Sequence, residues 1–524
     1  MSSVCVGDIV RNSARTYPHR EALIAGHIRL TYAELVRRID TTAAALKAAG
    51  VEQGTRVVCL AKNSTAVMTL YFATADLGAI LVPMNYWQRP SELADVLNDV
   101  EPAIFFHDDE FADLAAAAVD KAAETYAMVR MPAWGVTDES ESEWVEFLAG
   151  GASTAYAGGQ AAYRPRPDDA HLILYTSGTT GRPKGAILTH EGTVMSAFSV
   201  ALGYRLRQVD SFVALLTPFH IAAWGHINPF LLVGGSVAIL PEFNAERAYE
   251  TMVAERSTIF IAAPIMCQQI LALPQFDRDA LSDIRLIVFG AFDPSGVMRR
   301  VGEIFGASPG GPVQMLHGYG ITEGGVITIS CPPEEVFEKW GSIGKASVGY
   351  AIRLVHEGED VPQGEPGEIW IKGPIMQGYW RREEATAQTL VDGWLRTGDV
   401  AVADDSGFLR IVDRIKDMIR SGAQNIYCKE IEDCLVEHPD VADVAVIGVP
   451  DPDYEEAVCA VIVLTTPPTD PEALAESVKS FVRERIAGYN VPRHVRFVEA
   501  LPKNTLGKIL KRELRDAALP SDGS

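Results

Sequence analysis

Apolar and polar residues alternate along the first third of the chain in blocks that predict helices and strands in turn. Thr31 and Glu34 form a capping box, and apolar side chains then recur at helical spacing until Gly50, which predicts one helix. The apolar runs Arg56–Leu60 and Ile80–Pro83 predict buried strands with a second helix between them. Strands that alternate with helices of this length predict a largely parallel sheet with helices on its faces.

The remainder of the chain continues this pattern and then changes character. A further α/β region is predicted at about 170–310, and the apolar run 229–240 within it is interpreted as a buried strand. Short strands and Gly/Pro turns between 348 and 412 predict a β-rich subdomain, and an αββαβ pattern follows from about 416. The predicted fold is α/β: a large N-terminal domain of two α/β subdomains plus a β-rich subdomain, then a small α/β C-terminal domain.

Length and charge limit the classes of function. A chain of 524 residues is too long for one core and indicates two to four domains. The formal net charge of −23 argues against nucleic acid as a partner, because a duplex would be repelled. A small polyanion would need a local cluster of donors. No apolar run approaches the roughly 18 residues of a transmembrane segment.

The number and spacing of the cysteines indicate the cellular compartment in which the protein works. The seven cysteines form no CxxC pair and are odd in number, and the N-terminus has no secretion signal. We therefore expect a reduced, cytoplasmic protein without structural zinc. Whether it is a monomer or a homodimer cannot be read from the sequence.

The segment 175–185 carries the clearest chemical signal. It lies between two apolar strands and combines glycines, hydroxyl side chains and a lysine, which together predict a polyphosphate-binding loop of backbone N–H groups and hydroxyls. The residues expected to contact the nucleotide are Thr176, Ser177, Gly178, Thr179, Thr180, Gly181 and Lys184. The loop is not a Walker A motif, since Lys184 is followed by glycine. The alternative interpretation is a solvated, flexible turn.

Four more segments follow this loop in a fixed order. They are Gly318-Tyr-Gly-Ile-Thr-Glu323, Thr397-Gly-Asp399, Asp413-Arg-Ile-Lys-Asp417 and Pro502-Lys-Asn-Thr-Leu-Gly-Lys508. Together with the loop they resemble the adenylate-forming superfamily, which includes acyl-CoA synthetases, amino-acid-activating adenylation domains and beetle luciferases. The resemblance extends over nearly the whole chain.

This resemblance implies a two-step reaction. A carboxylate attacks the α-phosphorus of ATP to give an acyl-adenylate and pyrophosphate, and a thiol then displaces AMP. Because both reactants of the first step are anions, catalysis consists mainly of charge neutralisation and positioning. ATP, Mg²⁺ and coenzyme A are the implied cofactors or co-substrates. The implied partners are a carboxylic acid or its acyl-adenylate, ATP or AMP, and CoA.

The resemblance also assigns roles to single residues. Lys508 would bridge the carboxylate and the α-phosphate, Thr322 would bind the α-phosphate, and Glu323 would be the magnesium ligand. The remaining nucleotide contacts would come from Gly290, Ala291, Phe292, Tyr319, Gly320, Asp399 and Arg414, with Tyr319 facing adenine and Asp399 binding the ribose hydroxyls. A plain helix cap at 319–323 and a turn carboxylate at Asp399 are the competing interpretations.

The domain division follows from the same comparison. Residues 1–412 would form the AMP-binding domain, 413–416 a hinge with Lys416 as pivot, and 417–524 a mobile cap domain. Rotation of the cap would withdraw Lys508 and bring Gly422 and Ala423 into the pantetheine tunnel. We expect such a hinge to be short, exposed and polar.

The segment 217–222 indicates which branch of the superfamily applies. It resembles the acyl-CoA synthetase form, with His220 near the acyl and thiol entrance and no acid nearby to bind an α-ammonium group. The acyl pocket would be lined by His220, Ala222, Trp224, Gly318 and Ile321. The predicted substrate is an apolar or aromatic carboxylic acid, and CoA is favoured over a carrier protein as the thiol.

One departure from the family motivates an alternative. Where relatives carry small residues, this chain has Phe292 and Asp293, which would crowd the nucleotide and add negative charge. The chain could then be impaired in adenylation and convert only a supplied acyl-adenylate to the thioester; Phe292 could equally stack on adenine or line the acyl pocket. A non-catalytic binding protein and a luciferase-like oxidase are further alternatives, and no kinase or Walker A pattern supports a phosphotransferase.

Overall fold

The structure is a computed structural model of the chain. It describes residues 4–137, 140–151, 164–176, 183–290, 296–421, 424–451, 455–503 and 509–517. Statements about structure below refer to these residues.

The first region alternates helices and strands as the apolar pattern predicts. The Thr31 side chain accepts a hydrogen bond from the Glu34 amide at 3.3 Å, and the Glu34 carboxylate accepts from the Thr31 amide at 2.9 Å, so the predicted capping box is confirmed. The elements are α1 (Val6–Thr16), β1 (Glu21–Ala25), β2 (Ile28–Thr31), α2 (Tyr32–Ala48), β3 (Arg56–Leu60), α3 (Thr65–Asp76), β4 (Ile80–Pro83), α4 (Pro90–Val100), β5 (Ile104–Asp108), α5 (Ala112–Val119), β6 (Met128–Met131) and α6 (Ser142–Gly150).

The second region is again α/β. Its elements are β7 (Ala170–Thr176), β8 (Lys184–Thr189), α7 (His190–Gly203), β9 (Ser211–Ala214), α8 (Ile221–Val233), β10 (Ser236–Ile239), α9 (Ala245–Ala254), β11 (Ile259–Ile261), α10 (Pro264–Leu271), β12 (Leu286–Gly290), α11 (Val297–Phe305), β13 (Gln314–Ile321), β14 (Gly325–Cys331) and β15 (Lys345–Ala346).

The third region is rich in short strands, as expected, and the last region is a small α/β unit. The third contains β16 (Ala351–His356), β17 (Glu359–Asp360), β18 (Gly367–Lys372), β19 (Gly378–Tyr379), α12 (Glu383–Thr389), β20 (Leu390–Val391), β21 (Trp394–Ala403) and β22 (Leu409–Arg414). The last contains β23 (Ile419–Ser421), β24 (Gln424–Ile426), α13 (Cys428–Val436), β25 (Val441–Asp451), β26 (Glu455–Leu464), α14 (Pro471–Arg483), β27 (His494–Val498) and α15 (Lys511–Asp516).

The described strands form several sheets. One has the order β19-β8-β7-β4-β3-β5-β6, a second β2-β1-β10-β9, and a third β11-β12-β13-β14-β15. The β-rich region forms the sheet β17-β16-β18-β21-β20 with β22 on β21, and the last region forms β24-β23-β26-β25 with β27 on β26. Strands β3, β4, β5, β6 and β7 pair in parallel, and β11, β12 and β13 do so too. The predicted α/β class is therefore confirmed, with the parallel pairing spread over more than one sheet.

One predicted strand is wrong. The first part of the run 229–240 belongs to helix α8, which continues to Val233, and only Ser236–Ile239 is a strand. Helix α8 is apolar on all sides because it contacts α1, α7, β10 and β14. A fully buried helix and a buried strand give the same apolar run, so the pattern could not distinguish them.

Two further observations concern the cysteines and the length of the helices. All seven cysteines are buried free thiols. Among the helices that the structure describes, none has both the length and the apolar character that crossing a bilayer requires.

Candidate active site

Strands β7 and β8 form an antiparallel hairpin around the predicted phosphate loop. Thr176 lies opposite Lys184, and its hydroxyl donates to the Lys184 carbonyl oxygen at 3.4 Å. Strand pairing therefore holds Thr176 and Lys184, the two ends of the predicted phosphate loop, next to each other. The loop residues Ser177, Gly178, Thr179, Thr180 and Gly181 lie outside the described residues, so their predicted nucleotide contacts stay predictions.

Strand β19 connects this hairpin to Glu323. Tyr379 lies opposite Ala186 of β8, and its hydroxyl donates to Glu323 Oε1 at 2.9 Å. The Lys184 ammonium lies 5.2 Å from the centre of the Tyr379 ring, within the range of a cation–π interaction. The amide of Met376 also donates to the Glu323 carbonyl oxygen at 2.7 Å. Tyr379 thus brings the lysine of the phosphate loop and the predicted magnesium ligand to the same place.

A second cluster joins Tyr319, Asp399 and Arg414. The Tyr319 hydroxyl donates to one Asp399 oxygen at 2.6 Å, and Arg414 Nε contacts the other at 2.6 Å. Burial and the adjacent Asp399 carboxylate raise the pKa of Tyr319 well above its ordinary value, so the phenol stays a donor. Burial opposes the positive charge of Arg414, but Asp399, Tyr319 and Asp417 together outweigh it, so the pKa of Arg414 is raised.

The Asp399 carboxylate is held by the turn before it. Gly398 has a φ of +72°, which glycine adopts without strain, and its amide donates to the buried Glu368 carboxylate at 3.0 Å. The Asp399 amide donates to the Thr397 hydroxyl at 3.1 Å. This explains why a Thr-Gly-Asp sequence occurs here: the turn presents a buried carboxylate, 3 % exposed, in one orientation.

Glycines bring the backbone of β12, β13 and β14 close together beside Tyr319. A Cβ on Gly318 would lie 2.2 Å from the Ile327 Cδ1, and one on Gly320 would lie 2.2 Å from the Val326 carbonyl oxygen. Gly290 pairs with Gly318 across β12 and β13. Gly290, Gly318, Gly320 and Tyr319 therefore lie close together, and their contacts with the nucleotide stay a prediction. Ala291, Phe292 and Asp293 lie outside the described residues, so the crowding of the nucleotide stays a prediction too.

His220 begins helix α8. Its Nδ1 accepts a hydrogen bond from the Ala222 amide at 3.2 Å, so the proton of the neutral ring is on Nε2. Burial lowers the pKa of His220 and keeps the ring neutral at physiological pH. The next turn of α8 carries Trp224, which is 1 % exposed and lines a cavity with Ile221.

The predicted hinge differs from expectation at its first residue. Asp413 is buried, because its carboxylate accepts from the Arg414 amide at 2.7 Å and from the Cys428 amide at 2.5 Å. It thus ties β22 to the start of α13. Lys416 is exposed, as expected for a pivot. Gly422, Ala423 and Lys508 lie outside the described residues.

Sequence inspection did not identify Tyr379 or Glu368 as site residues. Tyr379 is 56 positions from Glu323 and Glu368 is 30 positions from Gly398, and neither lies in one of the ordered motifs. A Gly-Tyr pair on a short strand carries no signal of its own. The role of Tyr379 becomes visible only when β19 is seen to pair with β8.

The geometry defines a class of protein. The hairpin that flanks the predicted phosphate loop, a carboxylate held by a tyrosine and an arginine, and closely packed glycine backbone beside an aromatic ring occur together, and this combination is compatible with a nucleotide site. Two family models match: AMP-binding enzyme at residues 10–380 and AMP-binding enzyme C-terminal domain at residues 430–508.

Individual relatives agree. A feruloyl-CoA synthase of an Amycolatopsis species is 38% identical over 96% of both chains. The long-chain-fatty-acid–CoA ligase FadD13 of Mycobacterium tuberculosis is 32% identical over 98% of both. The solved structure of the anthranilate CoA ligase AuaEII in complex with anthranoyl-AMP superposes with a TM-score of 0.85 at 28% identity, covering 98% of this chain and 97% of that one. The chain belongs to the AMP-binding enzyme family, as an AMP-forming acid–thiol ligase with a large N-terminal and a small C-terminal domain.

Proposed function

We propose that this ligase activates an aromatic or otherwise apolar carboxylic acid at the site formed by Tyr319, Asp399, Arg414, Glu323 and Lys184. In the first step a carboxylate oxygen bonds to the α-phosphorus of ATP, and the bond to the bridging oxygen of pyrophosphate breaks. In the second step the thiolate of CoA bonds to the acyl carbon, and AMP leaves with the oxygen it received. The proton of the thiol is released to a base or to water.

The convergence of two clusters carries this proposal. Tyr379 links Lys184 to Glu323 in the loop between β13 and β14, and Tyr319 links Asp399 to strand β13, which leads into that loop. A nucleotide whose ribose hydroxyls bind Asp399 and Arg414 would direct its phosphates toward Thr176, Lys184 and the loop between them. Its α-phosphate would then lie near Thr322.

Magnesium suits the carboxylate present there. Mg²⁺ usually binds proteins through one or two carboxylates together with substrate phosphates. Within the described part of the chain, no group of three or more acidic, histidine or cysteine side chains could hold a metal by itself. We therefore assign Glu323 as the protein ligand of an ion shared with the ATP phosphates, where the ion would neutralise charge on the departing pyrophosphate.

The remaining roles concern the acyl group and domain movement. His220, with the proton of its neutral ring on Nε2, would lie at the acyl and thiol entrance, and Ala222, Trp224, Gly318 and Ile321 would surround the acyl group. Lys508 would bridge the carboxylate and α-phosphate until the cap rotates at 413–416. Gly422 and Ala423 would then line the path of the pantetheine.

A product assay tests the proposal. The purified chain is incubated with ATP, Mg²⁺, CoA and a panel of aromatic and fatty acids, and AMP and acyl-CoA are quantified by chromatography. We expect AMP and thioester in equal amounts with at least one acid, and loss of both in Asp399→Ala. Formation of ADP, or no thioester with any acid, would contradict the proposal.

A further inference from the structure

The segment that carries Lys508 begins and ends on paired backbone. The amide of Leu510 donates to the Pro502 carbonyl oxygen at 2.8 Å, and Lys503 pairs with Ile509 in an isolated antiparallel bridge. Lys508 follows Lys503 and precedes Ile509 in a part of the chain outside the described residues. The position available to Lys508 therefore depends on how the two described flanks are attached to the C-terminal domain.

Helix α15 follows this segment and packs on the sheet of the C-terminal domain. Leu514 of α15 is buried together with Leu501, in a cluster that includes Ile447 of β25 and Val461 of β26. Ile509 packs against the same cluster. These contacts hold α15 against the sheet, because they remove apolar surface from water.

Two ion pairs attach α15 to segments beside the predicted hinge. Arg515 Nη2 lies 3.0 Å from Asp417 Oδ1, and Lys511 Nζ lies 2.8 Å from Glu432 Oε1 of α13. All four side chains are at most 30 % exposed, so salt screens these pairs less than fully exposed ones. Lys511 is the first residue of α15 and Arg515 lies near its end, so the two pairs together fix the direction of the helix.

Asp417 and Glu432 are held by contacts of their own. The Cys428 thiol donates to the Asp417 carbonyl oxygen at 2.9 Å, and the Val446 amide donates to Glu432 Oε1 at 2.7 Å. Asp417 is the first residue after the predicted hinge 413–416. Asp417, the start of α13, strand β25 and helix α15 therefore form one connected unit on the C-terminal side of the pivot.

Arg512 lies on the same helix but pairs within it. Its Nε lies 3.9 Å from Asp516 Oδ2, and the two side chains are 74% and 68% exposed. An ion pair this exposed contributes little to stability. Helix α15 therefore carries one arginine that reaches the residue beside the pivot and one that extends into solvent.

We propose that Arg515 is a positioning residue for the adenylation step. By pairing with Asp417 it fixes α15, and with it the base of the Lys508 segment, relative to the pivot Lys416. Closure of the C-terminal domain then brings Lys508 to the α-phosphate, where a misplacement of about 1 Å costs up to about a hundredfold in rate. The thioester step does not use Lys508 and should not depend on this pair. This inference rests on the proposed function and adds a residue to its first step.

The two half-reactions separate this role from general stabilisation of the domain. Acid-dependent exchange of labelled pyrophosphate into ATP measures adenylation, and CoA mixed with the synthetic acyl-adenylate of an acid that the parent accepts measures thioester formation. Arg515→Ala should lower the exchange rate about tenfold and leave thioester formation within about twofold of the parent. Arg512→Ala is the matched control, since it removes the same charge from the same helix, and it should change neither rate. Equal loss in both half-reactions, or no loss of exchange, would overturn the inference. A parent that gives neither exchange nor thioester with any acid would show instead that the proposed function fails.

A variant of the partner residue separates position from charge. Asp417→Asn breaks the same pair but keeps the arginine, so the positioning role predicts a loss of exchange similar to that of Arg515→Ala. If charge alone were responsible, removal of a carboxylate should favour the anionic nucleotide and raise exchange. The double variant should lose no more than the more impaired single variant, because both changes remove one contact. Faster exchange in Asp417→Asn, or losses that multiply in the double variant, would overturn the inference.

Discussion

The hydroxyl of Tyr379 can be removed with little other change. Tyr379→Phe loses the hydrogen bond to Glu323 Oε1 but keeps the ring that lies 5.2 Å from the Lys184 ammonium. The variant therefore separates the position of the Glu323 carboxylate from the packing around it. Tyr379 acts here as a positioning residue, since it contacts Glu323 and not the reacting atoms.

The size of the effect follows from the kind of bond. A hydrogen bond to a charged group contributes about 1.5–3 kcal/mol. Tyr379 and Glu323 are both partly exposed, so water can replace the lost donor in part and the lower end applies. About 1.5 kcal/mol corresponds to roughly a tenfold change. Burial and the neighbouring Glu323 raise the pKa of Tyr379, so the phenol stays protonated and the effect should not vary between pH 6 and 9.

The assay is acid-dependent exchange of labelled pyrophosphate into ATP over a series of MgATP and free Mg²⁺ concentrations. Tyr379→Phe should lower kcat/KM for MgATP about tenfold and raise the Mg²⁺ requirement, with a melting temperature close to that of the parent. Tyr249→Phe is the control, because its hydroxyl donates to the Asp277 carbonyl oxygen at 3.2 Å, away from the site. Unchanged kcat/KM and Mg²⁺ dependence in a folded Tyr379→Phe would refute the positioning role.

Two other substitutions test the proposed ribose site and the buried first residue of the predicted hinge. Asp399→Asn should raise KM for ATP at least tenfold and narrow the discrimination between ATP and 2′-deoxyATP, because Asp399 is the proposed ribose ligand; steady-state kinetics with both nucleotides measure this. Burial raises the pKa of Asp413 from 3.8 to about 6, despite nearby Lys511, so its contribution to stability is present when it is protonated and is lost as the pH rises through 6. Asp413→Asn should therefore reduce the fall in melting temperature between pH 4.5 and pH 8 by about 1–3 °C, and an unchanged or steeper fall would contradict this sign.

Local patterns predicted much of the fold because the signals are local. The capping box at Thr31 and Glu34 and the strands Arg56–Leu60 and Ile80–Pro83 occur where the sequence places them. Helix α8 was not predictable, since burial on every side removes the periodicity that marks a helix. The burial of Asp413 was also missed, because a carboxylate in a polar run is expected to be exposed unless backbone amides distant in sequence bind it.

The residues of the candidate site also fall into two groups: those that a short motif reveals and those that only the folded structure reveals. Tyr319, Glu323 and Asp399 lie in short motifs that can be read directly, and the structure brings Tyr319 and Asp399 into contact. Tyr379 lies in no motif, since its role depends on strand pairing across a long stretch of chain. Motifs identify the chemistry common to the family, whereas a residue that positions a motif side chain is found only in the folded chain.

The central claim is that the enzyme itself joins a carboxylate to AMP before any thiol takes part. The most direct measurement is pyrophosphate exchange into ATP in the absence of CoA, followed by addition of CoA to the same mixture. The account predicts acid-dependent exchange without CoA, and release of AMP with thioester once CoA is added. Absence of exchange with every acid, while supplied acyl-adenylate still yields thioester, would contradict it and would favour the form impaired in adenylation that Phe292 and Asp293 suggest.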